Sequence, residues 1–206
     1  MSHKIADPGE VPGSRSVRTR ERILDATAAV LCHKGFAGTR LSDIAERARV
    51  EMPAIHYYYP SREDLIEEVV LIGAAAMRSH VADALDALQS GAAPSTRIAV
   101  AVQAHLRHEL ELSDYAKAVV RNANQLPEHV GRRAWAEIGA YHDVWRGLVG
   151  ELAAAGELRA GLDPAAAHLL VLGALNSTVD WWDPASGPIE DLIGTARSMV
   201  LHALRT

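Results

Sequence analysis

The chain has 206 residues, 49% of them hydrophobic and 23% charged, with a formal net charge of −5. That is the composition of a folded globular protein, not of a disordered tail, and the negative balance excludes a protein coated over its whole surface by nucleic acid. Cys32 is the single cysteine, which excludes an internal disulfide framework, and no uncharged apolar run of about 18 residues is present to span a membrane.

Alanine is abundant, β-branched residues are sparse, and apolar and polar residues nowhere alternate for long. The chain therefore predicts an all-α protein of about nine helices. Residues 1–16 contain Pro8, Gly9, Pro12 and Gly13 and read as a flexible arm. With no leader-like apolar run in the first 17 residues and one unpaired cysteine, a reducing, cytoplasmic setting is expected. A first helix follows over 17–33, with Ile23, Leu24, Thr27, Val30 and Leu31 on one face and Lys34-Gly35 as its stop. Thr39 or Arg40 opens a second helix, whose buried face is Leu41, Ile44, Ala45 and Ala48. Arg49-Val50-Glu51 makes a turn. Met52 to Tyr58 forms a third helix, with Pro53 in its first turn and Pro60 ending it. Ser61 caps the next helix, with Asp64 in capping-box position.

Two short helices joined by a three-residue turn are a helix-turn-helix, whose second helix enters the DNA major groove. The run His56-Tyr57-Tyr58-Tyr59 supports this, because neighbours on a helix point about 100° apart and four rings in a row cannot all be buried. Ile55 and Tyr59 read as core; His56, Tyr57 and Tyr58 read as DNA-facing. Charge agrees with this placement. Residues 1–62 hold 10 Lys/Arg and 7 Asp/Glu, net +3, against 11 and 19, net −8, over 63–206. A basic end on an acidic body can dock one end on phosphates.

These residues carry a resemblance. Arg20 to Phe36, Thr39 with Leu41-Ser42-Asp43-Ile44-Ala45, and Val50 through Arg62 resemble the DNA-binding domain of the TetR (tetracycline-repressor-like) family of transcriptional regulators. Residues 18–65, about a quarter of the chain, are covered. The sequence departs from the family pattern in four places. Arg49 stands at a turn position usually held by Gly, Ala54 where a Thr or Ser is usual, His56 where a Tyr is usual, and Arg62 where a Lys is usual. The division expected is an arm over 1–16, a helix-turn-helix domain over 17–62, and a helical effector-binding and dimerisation domain over 63–206. From their places on the motif, Met52, Pro53, Ala54 and Tyr57 are expected to read bases of a near-palindromic operator. Thr39, Arg40, Ser42, His56, Tyr58 and Arg62 are expected to contact its phosphates.

Beyond residue 60 the pattern predicts a long helix from Ser61 past Leu88 linking head to body. Further helices are expected over 94–111, from Ser113 or Asp114 to about 126, over 127–155, over 164–182 and over 189–204. The helix at 164–182 is apolar nearly all round and the last one has an apolar face. Both need covering by more than their own core, so a homodimer through these two helices is expected. Met77, His80, Val102, His105, Leu106, Asn122, Trp145 and Asn176 are inward or polar-among-apolar positions and form the expected effector pocket. The resemblance implies a dimeric repressor released by a small apolar effector. The segment 174–184 is similar to one in family members tied to fatty-acid or acyl-thioester metabolism, which puts a long-chain acyl thioester first and an aromatic compound second. A constitutive or protein-partner-regulated repressor is the alternative.

No GxSxG, P-loop or dinucleotide glycine motif occurs. An all-α enzyme using His105 with Glu109, one turn apart, and an interaction adaptor are the competing classes. His105 and His108, one turn apart, are the nearest approach to a ligand spacing, and neither metal nor cofactor is expected.

Overall fold

The computed structural model describes residues 12–205, apart from residues 113, 123–124 and 128–130. The arm expected over 1–16 falls outside them up to residue 11, and residues 12–16 are already helical. Among the described residues nine helices follow one another: α1 (Pro12–Gly38), α2 (Leu41–Ala48), α3 (Met52–Tyr58), α4 (Arg62–Asp86), α5 (Pro94–Arg107), α6 (Asp114–Asn122), α7 (Arg132–Ala154), α8 (Pro164–Asn176) and α9 (Ile189–Leu204). A π turn, His108–Leu112, continues α5, and a single helical turn, Thr178–Trp181, follows α8 after Ser177. No strand occurs among the described residues beyond an isolated bridge between Leu158 and Arg205, and no described helix is long and apolar enough to cross a membrane.

The head is α1–α3 with the first half of α4. Ile23, Leu24, Leu31, Ile44, Ala48 and Ile55 meet Leu65, Ile66, Val69 and Val70 in one core. Gly35 breaks α1 with φ +69, a conformation glycine adopts without a Cβ penalty. The Thr39 hydroxyl donates to the Gly35 carbonyl at 2.7 Å, so it does not cap α2; Arg40 is the N-cap and offers no side-chain bond. Ser61 caps α4 by accepting from the Asp64 N–H at 3.0 Å, while the Asp64 carboxylate accepts from the Ser61 hydroxyl at 2.6 Å.

Head and body share one rod. The second half of α4 places Met77, Val81 and Leu85 in the body core with Val102, Leu106, Trp145, Leu148, Leu172 and Leu175. The body also reaches back: Ala118 and Leu126, with Ala134 of α7, belong to the head core. Helix α6 is bound to α1 by Asn122, whose amide donates to the Leu31 carbonyl at 3.3 Å, and by the Tyr115 hydroxyl, which donates to Asp25 at 2.8 Å. It crosses α4 so closely at Gly73 that a Cβ there would lie 2.7 Å from the Tyr115 carbonyl oxygen.

Arg49 occupies the left-handed region, φ 52 and ψ 50. The Val50 N–H bonds the Ala45 carbonyl at 3.0 Å and the Arg49 N–H bonds Glu46 at 3.1 Å, the Schellman pattern that usually takes glycine at this position. The Arg22 guanidinium donates to the carbonyls of Ala48 and Arg49 and braces the turn. An L-residue held there costs about 1–2 kcal/mol. Arg49→Gly should therefore stabilise the protein by about 1 kcal/mol after the entropy glycine adds to the unfolded chain, raising Tm by roughly 2–4 °C. A thermal melt showing no rise would mean the turn bears no such cost.

Candidate functional site

Helix α3 has seven residues and one buried side chain, Ile55. Its other faces are open because the helix rests on the head only along the edge that carries Ile55 and, just beyond its end, the buried Tyr59. Pro53 and His56 are exposed, Met52, Ala54 and Tyr58 are half-buried, and Tyr57 is 79% exposed. The Tyr57 ring meets Tyr58 edge-on, with centroids 4.9 Å apart, and the Tyr58 hydroxyl is tied to Ser16 at the start of α1, 2.9 Å from its side chain. Tyr59 is the aromatic plug, with the Arg20 guanidinium over its ring; burial pushes its phenol up to about 12.

Arg40 and Ser42, at the start of α2, are exposed. Two other residues expected at the phosphates are engaged inside the head. Thr39 is 1% exposed with its hydroxyl on Gly35. Arg62 stacks on Phe36 at 4.8 Å and donates to the carbonyls of Phe36 and Thr39 and to Glu63. In this geometry Arg62 holds the end of α1 against the start of α4, and the nearby Arg pulls the Glu63 carboxyl below its usual range.

The body contains a cavity of about 160 Å³. Gly73, Ala74 and Met77 of α4 line one side, Ala116, Val119 and Val120 of α6 another, and Trp135, Ile138, Tyr141 and His142 of α7 a third, with Leu172 and Asn176 of α8 and His105 of α5 completing it. Of the eight residues expected here, Met77, His105 and Asn176 are in the wall. The other five lie elsewhere. Val102, Leu106 and Trp145 are fully buried core, Asn122 faces α1 and Ala118, and His80 packs on His108 with ring centroids 5.0 Å apart. Apolar wall and apolar core look alike in a sequence, which is why Val119 or Ile138 could not be picked out. A signal did exist at Gly73-Ala74, where small residues thin the middle of α4.

The polar end of the cavity is a chain of buried groups. His105 Nδ1 lies 2.7 Å from the Tyr141 hydroxyl, and His105 Nε2 lies 2.9 Å from Glu109 Oε2, out of line for a good hydrogen bond. Both His105 and Glu109 are buried. Burial raises the Glu109 carboxyl, opposed by His105, and raises the Tyr141 phenol. Burial, with His80 and His105 adding to it, pushes His108 down to about 4. His142, on the cavity wall, is also lowered by burial, with His168 adding to it.

Residues 23–69 match the bacterial regulatory proteins of the tetR family, and residues 91–204 match the tetracyclin repressor-like C-terminal domain. The chain belongs to the tetR family. It is a DNA-binding transcriptional regulator and not an enzyme, and regulators of this family bind operator DNA and act as dimers. The fatty acid metabolism regulator protein of Bacillus subtilis (strain 168) is 22% identical over 163 residues, 78% of this chain and 81% of that one. PfmR of Thermus thermophilus has the same fold, with a TM-score of 0.74 at 21% identity over 90% of this chain and 100% of its own. So does AibR, in a crystal structure with isovaleryl coenzyme A and operator DNA, with a TM-score of 0.77 at 18% identity over 88% and 96%.

The histidines of this tetR regulator's body give it a pH signature. The His108 value is lowered from 6.5 to about 4 on folding, so between those values the unfolded chain binds a proton that the folded chain does not. Its contribution is fully present above about 6.5 and is lost as pH falls toward 4. Glu109, raised on folding, acts in the opposite sense. Comparison with His108→Gln isolates the histidine: from pH 6.5 down to 4, Tm of the wild type should fall more steeply than Tm of the variant. Parallel Tm–pH curves would contradict the lowered value.

Proposed function

We propose that this regulator is a homodimeric repressor that reads a near-palindromic operator through the open face of α3 and leaves it when a small acyl-bearing effector fills the body cavity. The observation that carries this reading is that Gly73, Ala74 and Met77 of the cavity wall belong to α4, whose first half is part of the head core. A ligand that fits better when α4 is displaced lowers DNA affinity by the same factor that DNA lowers its own. Met52, Pro53, Ala54 and Tyr57 are the base-reading residues, by apolar contact and DNA shape. Arg40, Ser42, His56 and Tyr58 flank them toward the phosphates. For the dimer, support comes from the exposed apolar side chains on the last two helices and the turn between them: Leu169, Leu170 at 74% exposure, Trp181 and Met199.

The cavity bears on the ligand. An engineered cavity of about 150 Å³ takes up benzene, so about 160 Å³ suits a short acyl group. The crystal structure of AibR with isovaleryl coenzyme A supports a short acyl thioester as the class to test.

The operator is found by selecting bound genomic fragments. On it, Tyr57→Ala should cost about 1–3 kcal/mol while binding to random DNA stays unchanged; equal loss on both would remove Tyr57 from base reading. Short-chain acyl coenzyme A thioesters should weaken operator binding about 5–150-fold in a gel shift. An operator affinity indifferent to acyl thioesters of every chain length would overturn the effector half of the proposal.

A further inference from the structure

The polar end of the cavity fixes which ligand atom it can read, an inference that rests on the effector reading above. Glu109 is fully buried beside His105. His105 in turn meets the Tyr141 hydroxyl. His105 and Tyr141 line the cavity, and Glu109 stands behind them. The three make a chain that runs from a buried carboxyl to the cavity wall.

Proton count sets the direction of that chain. A carboxylate beside a neutral imidazole would leave a net negative charge in an apolar interior, which is strongly disfavoured. With a proton on Glu109 the pair is neutral overall, and the Oε2 hydroxyl 2.9 Å away disfavours a hydrogen on His105 Nε2. His105 Nδ1 then carries the imidazole hydrogen and donates it to the Tyr141 oxygen. The phenolic hydrogen is then left for the cavity. Remove the Glu109 proton and the chain reverses: Nδ1 accepts from the phenol, and the cavity meets only a lone pair. The other groups facing the pair are His108 in the π turn with His80 of α4 beyond it, Lys117 of α6, and Asp180 in the turn after α8.

We propose that Tyr141 is the hydrogen-bond donor that reads the carbonyl oxygen of a short acyl group in the cavity, with His105 and Glu109 as positioning residues that fix the direction of its hydroxyl. Met77, Val119 and Ile138 take the hydrocarbon. The site therefore distinguishes an acyl group from an alkyl group of the same length, and it does so while Glu109 holds its proton.

The test uses two probes that differ by the carbonyl oxygen, butanoyl coenzyme A and its thioether S-butyl coenzyme A. Binding to the full-length protein is followed by calorimetry across pH, and the operator affinity of each unliganded variant reports that it is folded. The wild type should prefer the thioester by about tenfold, the loss typical of one unmade buried hydrogen bond. The preference should fade as pH rises and Glu109 gives up its proton. Tyr141→Phe should bind both probes alike at every pH, and Glu109→Gln should keep Tyr141 but alter the pH profile. If the wild type binds both probes equally and both release the operator, the carbonyl reading is overturned while the effector reading stands. A preference that persists in Tyr141→Phe also overturns it. If neither probe binds, the short-acyl carbonyl reading is overturned, and the gel shift across acyl chain lengths decides the effector reading separately.

Discussion

The constraint on which the rest depends is that one helix belongs to two cores. Leu65, Ile66, Val69 and Val70 at one end of α4 close the head, and Met77, Val81 and Leu85 at the other close the body. A helix of 25 residues is a rod about 37 Å long, and both ends are fixed by side chains that exclude water. Neither core can shift its share of α4 without moving the other's. The start of the rod is Ser61, three residues past the end of the recognition helix. The two helices are separated by an extended Tyr59 and by Pro60, so little slack lies between them.

Against these apolar contacts the body keeps groups that are costly to bury: Glu109, His105, His108 and His168. A core built for stability alone would replace them with leucine. The first three gather where α5 widens into a π turn, and such local irregularities are frequent at functional sites. The cavity consequently pairs a hydrogen-bonded His105–Tyr141 corner with a largely hydrocarbon lining from Gly73, Ala74, Met77, Val119, Val120 and Ile138. That asymmetry orients a guest as well as admitting it.

The head was legible in the sequence because its shape is decided locally. Pro53, Pro60, Ser61 and Gly35 mark starts and stops by backbone chemistry that acts within a few residues, and the helix boundaries fall close to them. The left-handed Arg49 was visible as a turn position lacking its usual glycine. The last helix was found over 189–204, as it stands. The body was less legible because its features arise between helices. Whether Val102 or Val119 faces a void depends on how two distant helices cross, and Val102 proved to be packed core. The break at Ser177 divides what periodicity reads as one helix over 164–182, since hydrophobic residues continue through it. Arg62 shows a different limit. A cation beside a DNA-binding helix reads as a phosphate ligand, and only the fold reveals that carbonyls of Phe36 and Thr39 already hold it.

The cores do not respect the boundary at which motif and charge divide the chain. Ala118, Leu126 and Ala134 complete the head from the far side of residue 63, and Asn122 and Tyr115 bond directly to α1. The reading head is therefore not a portable module. A chimera that joined a foreign head at residue 62 would set a new α1 against an α6 shaped for Leu31 and Asp25. For this protein, exchanging operator specificity between relatives is a problem of grafting the exposed face of α3 onto a retained scaffold.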